Sequence, residues 1–209
     1  MSNFFGENGI LYRSVTKMTD LLLLNVLFLI TCIPVITIGA AIFSLYTMTL
    51  RMCRNEEAYI LRSYLKAFCQ NFKKATEVWL LFLTGLIIIG IDFRIVMKLE
   101  NLPVRIFMTV LFAVLIMVFM VISYVFPLIA VYENTIGNTL KNAFILAMSK
   151  IGYTVPIVVL NFFPILLIMK NARFLEVGGM YLLIGFALTA YINSYLFRNL
   201  FEKTLGYKK

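Results

Sequence analysis

The sequence contains no histidine and has few charged residues of either sign. Of its 209 residues, 14% are charged and 62% are hydrophobic, whereas a soluble domain carries about 25% charged and 45–50% apolar residues. The absence of histidine removes the commonest general base and the commonest transition-metal ligand. The three cysteines (Cys32, Cys53 and Cys69) form no CxxC pair, so no zinc or redox motif is present. We therefore expect neither a metal nor a cofactor.

The motifs that mark common enzyme classes are also missing. The chain has no GxxxxGK[ST] loop for nucleotides, no HExxH, no GxSxG and no dinucleotide-binding fingerprint. Its apolar segments contain very few acidic residues, of which Asp92 is the main candidate for proton transfer. An interfacial position near the end of an apolar segment explains Asp92 more simply. We therefore expect that the protein is not an enzyme.

The sequence is rich in long apolar segments. About 20 apolar residues in a helix span the ~30 Å hydrocarbon core of a bilayer. We predict an all-α, polytopic membrane helix bundle that forms one integral membrane domain over residues 1–209. The bundle is expected to contain five transmembrane helices and short amphipathic cytoplasmic helices. The predicted spans are residues 20–50, 76–97, 104–131, 151–169 and 177–197.

The first of these spans has 31 residues, too many for an upright crossing, and it contains Pro34. A proline inside a helix interrupts the hydrogen-bond ladder. We favour one long helix kinked at Pro34. The alternative is two helices, at 20–33 and about 38–50, joined by an irregular elbow from Pro34 to Gly39. Residues 1–19 are predicted to form an amphipathic lead-in on the membrane surface.

Residues 51–75 are the most basic part of the chain, and they carry apolar residues at helical spacing. We predict an amphipathic helix over 55–73 that starts at Asn55 and lies along the membrane. It binds either anionic lipid or a protein partner. The candidate contact residues are Arg62, Tyr64, Lys66, Phe68, Asn71, Phe72 and Lys73. A second surface helix is predicted near 136–151, with Asn134 or Thr135 as its cap.

Basic residues outnumber acidic ones by 19 to 10, giving a net charge of +9. In a membrane protein, lysine and arginine collect on the cytoplasmic side near anionic lipid, so nucleic acid is not needed to explain this excess. If residues 51–75 are cytoplasmic, five crossings place 12 of the 19 basic residues inside and 7 outside. This distribution predicts an N-out, C-in orientation. An elbow in 20–50 would instead move the N-terminus inside.

Four of the uncharged polar residues within the predicted spans are candidates for a sugar-binding role. Side chains of this type usually form hydrogen bonds between membrane helices, each contributing about 0.6 kcal/mol and at most ~2 kcal/mol. We interpret them as packing contacts rather than sugar ligands. They are Asn25, Thr37, Asn161 and Asn193.

Two sequence segments resemble the YesL family, a group of bacterial membrane proteins classed as a domain of unknown function. The first contains Asn25, Pro34, Thr37, Gly39, Ala40, Leu45 and Tyr46. The second contains Phe68, Asn71, Phe72, Lys73, Thr76 and Trp79. A looser match covers Phe126, Pro127 and the run from Leu140 to Ala143.

The resemblance implies a role beside carbohydrate ABC importers in the cell membrane of Gram-positive bacteria. We therefore expect an accessory or regulatory subunit that contacts membrane lipids and the importer's permease subunits. The family resemblance implies no catalytic residue. The alternatives are a small stand-alone transporter or channel and, less favoured, an intramembrane enzyme.

Overall fold

The computed structural model describes residues 10–56, 59–96, 102–170, 178–179 and 181–205, and all of its regular structure is helical. A 3₁₀ turn at Val35–Thr37 separates the first two helices, and a π-helical turn at Tyr181–Gly185 precedes the last. The α-helices are α1 (Ile10–Cys32), α2 (Ile38–Cys53), α3 (Ile60–Gln70), α4 (Phe72–Val96), α5 (Leu102–Val131), α6 (Ile136–Ser149), α7 (Ile151–Lys170) and α8 (Phe186–Leu205).

The predicted class, an all-α bundle with several membrane-crossing helices, is confirmed. Within the described residues, four segments are long and apolar enough to cross a bilayer. A fifth arises if α6 and the start of α7 count as one span, although these two helices are bent by 102°. The four segments are Val15–Cys32, Val35–Cys53, Phe72–Val96 and Ile106–Val131.

The prediction of one helix over 20–50, kinked at Pro34, is wrong. Helix α1 ends at Cys32 and α2 begins at Ile38. Lys17 Nζ donates a hydrogen bond of 3.1 Å to Asn55 Oδ1, which joins the start of α1 to the residues just after α2. The two helices therefore form an antiparallel hairpin, which is the elbow alternative. Residues 10–19 belong to α1, and residues 1–9 of the predicted lead-in lie outside the described residues.

This hairpin also removes the basis for the N-out orientation, which depended on a single crossing at 20–50. Lys17 and Asn55 lie at the same end of the hairpin. If residues 51–75 are cytoplasmic, the start of α1 is cytoplasmic as well.

Asn55 ends α2 instead of starting the next helix, which corrects a second prediction. Its φ of 55° is in the left-handed region, where asparagine is tolerated better than most residues. The Asn55 N–H donates to Met52 O at 3.1 Å, and the Glu56 N–H donates to Arg51 O at 3.2 Å. This pair of bonds is a Schellman motif, which satisfies carbonyls at a helix end. The predicted helix 55–73 is in fact α3 followed by the first residues of α4.

Helix α2 is the centre of the bundle, with packing contacts to α1, α3, α4, α5 and α8. Small residues on α2 are fully buried and allow its neighbours to approach closely, as is typical of membrane helices. Beside it, aromatic rings of α2, α5 and α8 pack edge to face, with Phe197 between Tyr46 and Tyr124.

Asn25 joins α1 to the last helix through its carboxamide. The side chain is fully buried. Its Nδ2 donates to Leu182 O at 2.6 Å, and its Oδ1 accepts from the Ala187 N–H at 3.0 Å. These two backbone groups are five residues apart, the spacing of a π-helical hydrogen bond. The side chain thus bridges the two groups at the break before α8.

The other predicted polar contacts also join helices. Asn193 Nδ2 on α8 donates to Asn161 Oδ1 on α7 at 2.8 Å, and Asn161 Nδ2 donates to Ser123 Oγ on α5 at 3.5 Å. Thr135 caps α6 as predicted, because its side chain accepts from the Asn138 N–H. The packing interpretation of these residues is therefore confirmed.

We predict that Asn25→Leu destabilises the bundle. The substitution removes both partners of a buried backbone donor and acceptor, and each such loss costs about 1–3 kcal/mol. The melting temperature in mild detergent is expected to fall by several degrees. As the control, Asn142→Leu changes an exposed asparagine on α6 and is expected to leave the melting temperature within a degree. Equal melting temperatures for the two variants would contradict this role of Asn25.

Candidate functional site

The elbow between α1 and α2 leaves backbone carbonyls without partners in the helix, and side chains satisfy them. Thr37 Oγ1 donates to Thr31 O at 2.6 Å and lies 2.8 Å from Pro34 O. Trp79 Nε1 on α4 donates to Val35 O at 2.8 Å. These contacts complete hydrogen bonds that the interrupted helix leaves open, and in an apolar environment only protein or water can complete them. Pro34 and Thr37 are thus structural residues of the elbow.

Gly39 sets the distance between α2 and α4. A Cβ at this position would overlap Ala75 O and the Cβ of Trp79. Only glycine leaves room for the α4 backbone, and this approach places Trp79 over the elbow. The two segments that carry the family resemblance therefore meet in space at the elbow.

Tyr64 holds α3 against this hairpin. Its ring is fully buried, and its hydroxyl lies 2.7 Å from Thr31 Oγ1 on α1. Burial raises the pKa of the Tyr64 hydroxyl above its usual range, so the group stays protonated and neutral. The prediction that Tyr64 contacts a partner is therefore wrong for the folded chain. Phe68 is half-buried and packs edge to face on Phe72.

The opposite side of α3 is exposed, and we call it the α3 outer face. It combines aromatic, aliphatic and cationic side chains. Tyr59 is 87% exposed, Leu61 51% and Leu65 44%. These exposures show that side chains of mixed chemistry are accessible on this surface. The face comprises Leu61, Arg62 and Leu65 on α3, together with the exposed residues that flank it, which are Tyr59 just before α3 and Phe72 and Lys73 at the start of α4.

Two of the predicted contact residues, Lys66 and Asn71, line a cavity instead. This basic cavity has a volume of about 400 Å³ and lies between α2, α3, the start of α4 and the end of α5. Its lining adds two cations that the sequence reasoning did not select, Arg51 and Lys74, and one carboxylate, Glu133. The missed cations come from α2 and α4, and only the folded chain brings them to Lys66.

Lys74 and Arg51 have hydrogen-bond or ion-pair partners outside the lining of the basic cavity. Lys74 Nζ donates to Asn134 O, and Arg51 Nε lies 4.0 Å from Glu56 Oε2 outside the cavity lining. Within the described part of the chain, Lys66 and Glu133 form no ion pair. The cavity therefore keeps an excess of positive charge that can meet an anion.

These features define a class: an all-helical protein with several helices able to cross a membrane, an elbowed hairpin and a basic cavity beside it. Within the described residues, no group of acidic or cysteine side chains could hold a metal ion. In comparison with known proteins, residues 21–93 match the family model described as "Protein of unknown function, DUF624". No curated protein and no solved structure matches the chain.

The matched segment covers consecutive helices that pack on one another. It runs from the middle of α1 through the elbow, α2 and α3 into α4. It therefore contains Gly39, Tyr64 and Trp79, which hold these helices together. It also contains Asn25, which joins α1 to the last helix.

We predict that Gly39→Ala separates α4 from α2 and breaks the bond between Trp79 and Val35. Because Trp79 is the single tryptophan of the chain, its fluorescence emission reports on this contact directly. A shifted emission maximum and a lower melting temperature are expected. The matched control is Gly85→Ala on α4, where an added Cβ meets nothing within 4 Å, so alanine should be neutral or mildly stabilising. An unchanged emission spectrum for Gly39→Ala would refute the close approach.

Proposed function

We propose that this chain is an accessory subunit of the bacterial cell membrane that docks on a permease subunit of a carbohydrate ABC importer. The α3 outer face is the observation that carries the proposal. Support for the kind of partner comes from the resemblance to the YesL family, whose proteins carry the DUF624 domain found at residues 21–93.

The α3 outer face suits a protein partner for two physical reasons. Tyrosine, phenylalanine and arginine are enriched in the cores of protein interfaces. In addition, the inner side of α3 is fixed by buried Ile60, Tyr64 and Ala67, so the outer side chains are presented on a rigid helix and lose less entropy on binding. Arg62 and Lys73 favour a partner surface that carries acidic residues.

In this proposal, the start of α1, the α3 outer face and the C-terminus lie on the cytoplasmic side. The hairpin adds Arg13 and Lys17 to the 12 basic residues already placed inside, which brings 14 of the 19 to that side. The positive-inside rule supports this arrangement more strongly than the N-out alternative.

We predict that Val15 and Cys69, both exposed, are accessible from the same side of the membrane. The test is labelling of cells with a membrane-impermeant maleimide before and after permeabilisation. It uses Cys69 in a Cys32→Ser background, and Val15→Cys in a background that lacks both Cys32 and Cys69. Both sites should react only after permeabilisation. Reaction of Val15→Cys in intact cells would contradict the cytoplasmic start of α1.

We further predict that charge reversal on the α3 outer face disrupts the complex. Tagged protein purified from native membranes in mild detergent should carry permease subunits, identified by mass spectrometry. The double substitution Arg62→Glu with Lys73→Glu is expected to reduce their recovery at least tenfold. The two positive charges that would face acidic residues of the partner become negative and repel them.

The matched control is Lys141→Glu with Lys150→Glu, which makes the same charge change at an exposed position on α6 and at the exposed residue that follows it. This variant should recover the partner at the level of the unchanged protein. If the unchanged protein brings down no permease subunit, the proposed function is wrong. If both double variants lose the partner equally, net charge is the cause and the assignment to α3 is wrong.

A further inference from the structure

The basic cavity has no role in the docking proposal, since its lining and the α3 outer face have no residue in common. We infer that it binds the phosphate group of a small, hydroxyl-bearing phosphate ester. Three cations from three different helices line it: Arg51 on α2, Lys66 on α3 and Lys74 on α4. Convergence from separate helices gives a charged site whose geometry is set by the fold.

The positive charge of the cavity lining indicates that the ligand carries a phosphate group. Arginine and lysine form charge-assisted hydrogen bonds to phosphate oxygens, and these are about twice as strong as neutral ones. The lining contains three cationic side chains and one carboxylate, Glu133, so its side chains carry a net charge of +2. A phosphate monoester with a charge near −2 balances it.

Glu133 and the neutral polar side chains of the lining indicate that the ester carries free hydroxyl groups. An ionised carboxylate only accepts hydrogen bonds, so Glu133 repels a second phosphate but accepts from a sugar or glycerol hydroxyl. Ser63 and Gln70, also in the lining, offer both donors and acceptors. The volume of about 400 Å³ lies within the ~300–1,000 Å³ of small-molecule sites, which leaves space for a polyol beside the phosphate.

The same chemistry has two sources. One is a soluble sugar phosphate, a monoester. The other is the headgroup of phosphatidylglycerol, a phosphodiester with a single negative charge that joins its phosphate to a glycerol with free hydroxyls and would balance only part of the charge. The experiment separates them with two probes on the full-length protein. Glucose 6-phosphate is titrated by calorimetry into protein in neutral phosphatidylcholine nanodiscs. Phosphatidylglycerol retention is measured by native mass spectrometry of protein released from mixed-lipid nanodiscs.

Binding of either probe above the level of its reference compound supports the inference and identifies the source. The reference compounds are glucose and inorganic phosphate for the soluble arm, and phosphatidylcholine for the lipid arm. Lys66→Gln is expected to weaken binding about tenfold through loss of a charge-assisted bond. Lys66 is exposed, so this variant should fold normally. Glu133→Gln should strengthen binding of inorganic phosphate and reduce the preference for the hydroxyl-bearing ester.

The control variant is Lys141→Gln, which removes an exposed lysine on α6 and should bind like the unchanged protein. The inference is overturned if neither probe binds better than its reference compounds, or if Lys66→Gln binds within twofold of the unchanged protein. It is also overturned if Lys141→Gln weakens binding as much as Lys66→Gln does. None of these outcomes depends on a permease partner, so this inference can fail while the docking proposal stands.

Discussion

Backbone polar groups inside an apolar bundle must find partners within the protein, because lipid offers none. This constraint governs both breaks in the helices. At the elbow, Thr37 and Trp79 satisfy carbonyls of Thr31 and Val35. At the π-helical turn, Asn25 pairs with a carbonyl and an N–H of the last helix. Trp79 and Asn25 reach these breaks from other helices, so their contacts also fix which helices are neighbours.

The elbow in turn determines where the basic residues lie. Because α1 and α2 form a hairpin, α3 packs against both helices through Tyr64. The close contact at Gly39 then fixes the start of α4. Arg62 and Lys73 therefore lie on the α3 outer face, whereas Lys66 lines the basic cavity. Two proposed binding surfaces, one for a protein and one for a phosphate ester, arise from a single basic segment.

Some outcomes could be predicted because they depend on local chemistry. The apolar lengths of α4 and α5, the Thr135 cap and the hydrogen-bonding roles of Asn161 and Asn193 follow from residue type and spacing. The elbow was foreseen only as an alternative, since Pro34 interrupts a helix whether the chain then continues or reverses. Asn55 was misassigned because asparagine is favoured both at helix starts and in the left-handed position that ends a helix.

By itself, the sequence determined the helical class and the presence of segments apolar enough to cross a membrane, because long apolar runs satisfy their backbone in lipid only as helices. It also marked Pro34, Gly39 and the 51–75 segment as unusual. Only the tertiary structure decided that α1 and α2 are antiparallel, that Tyr64 is buried, and that Arg51, Lys66 and Lys74 share a cavity. The physical reason is that these outcomes depend on contacts between residues distant in sequence, which helical periodicity does not encode.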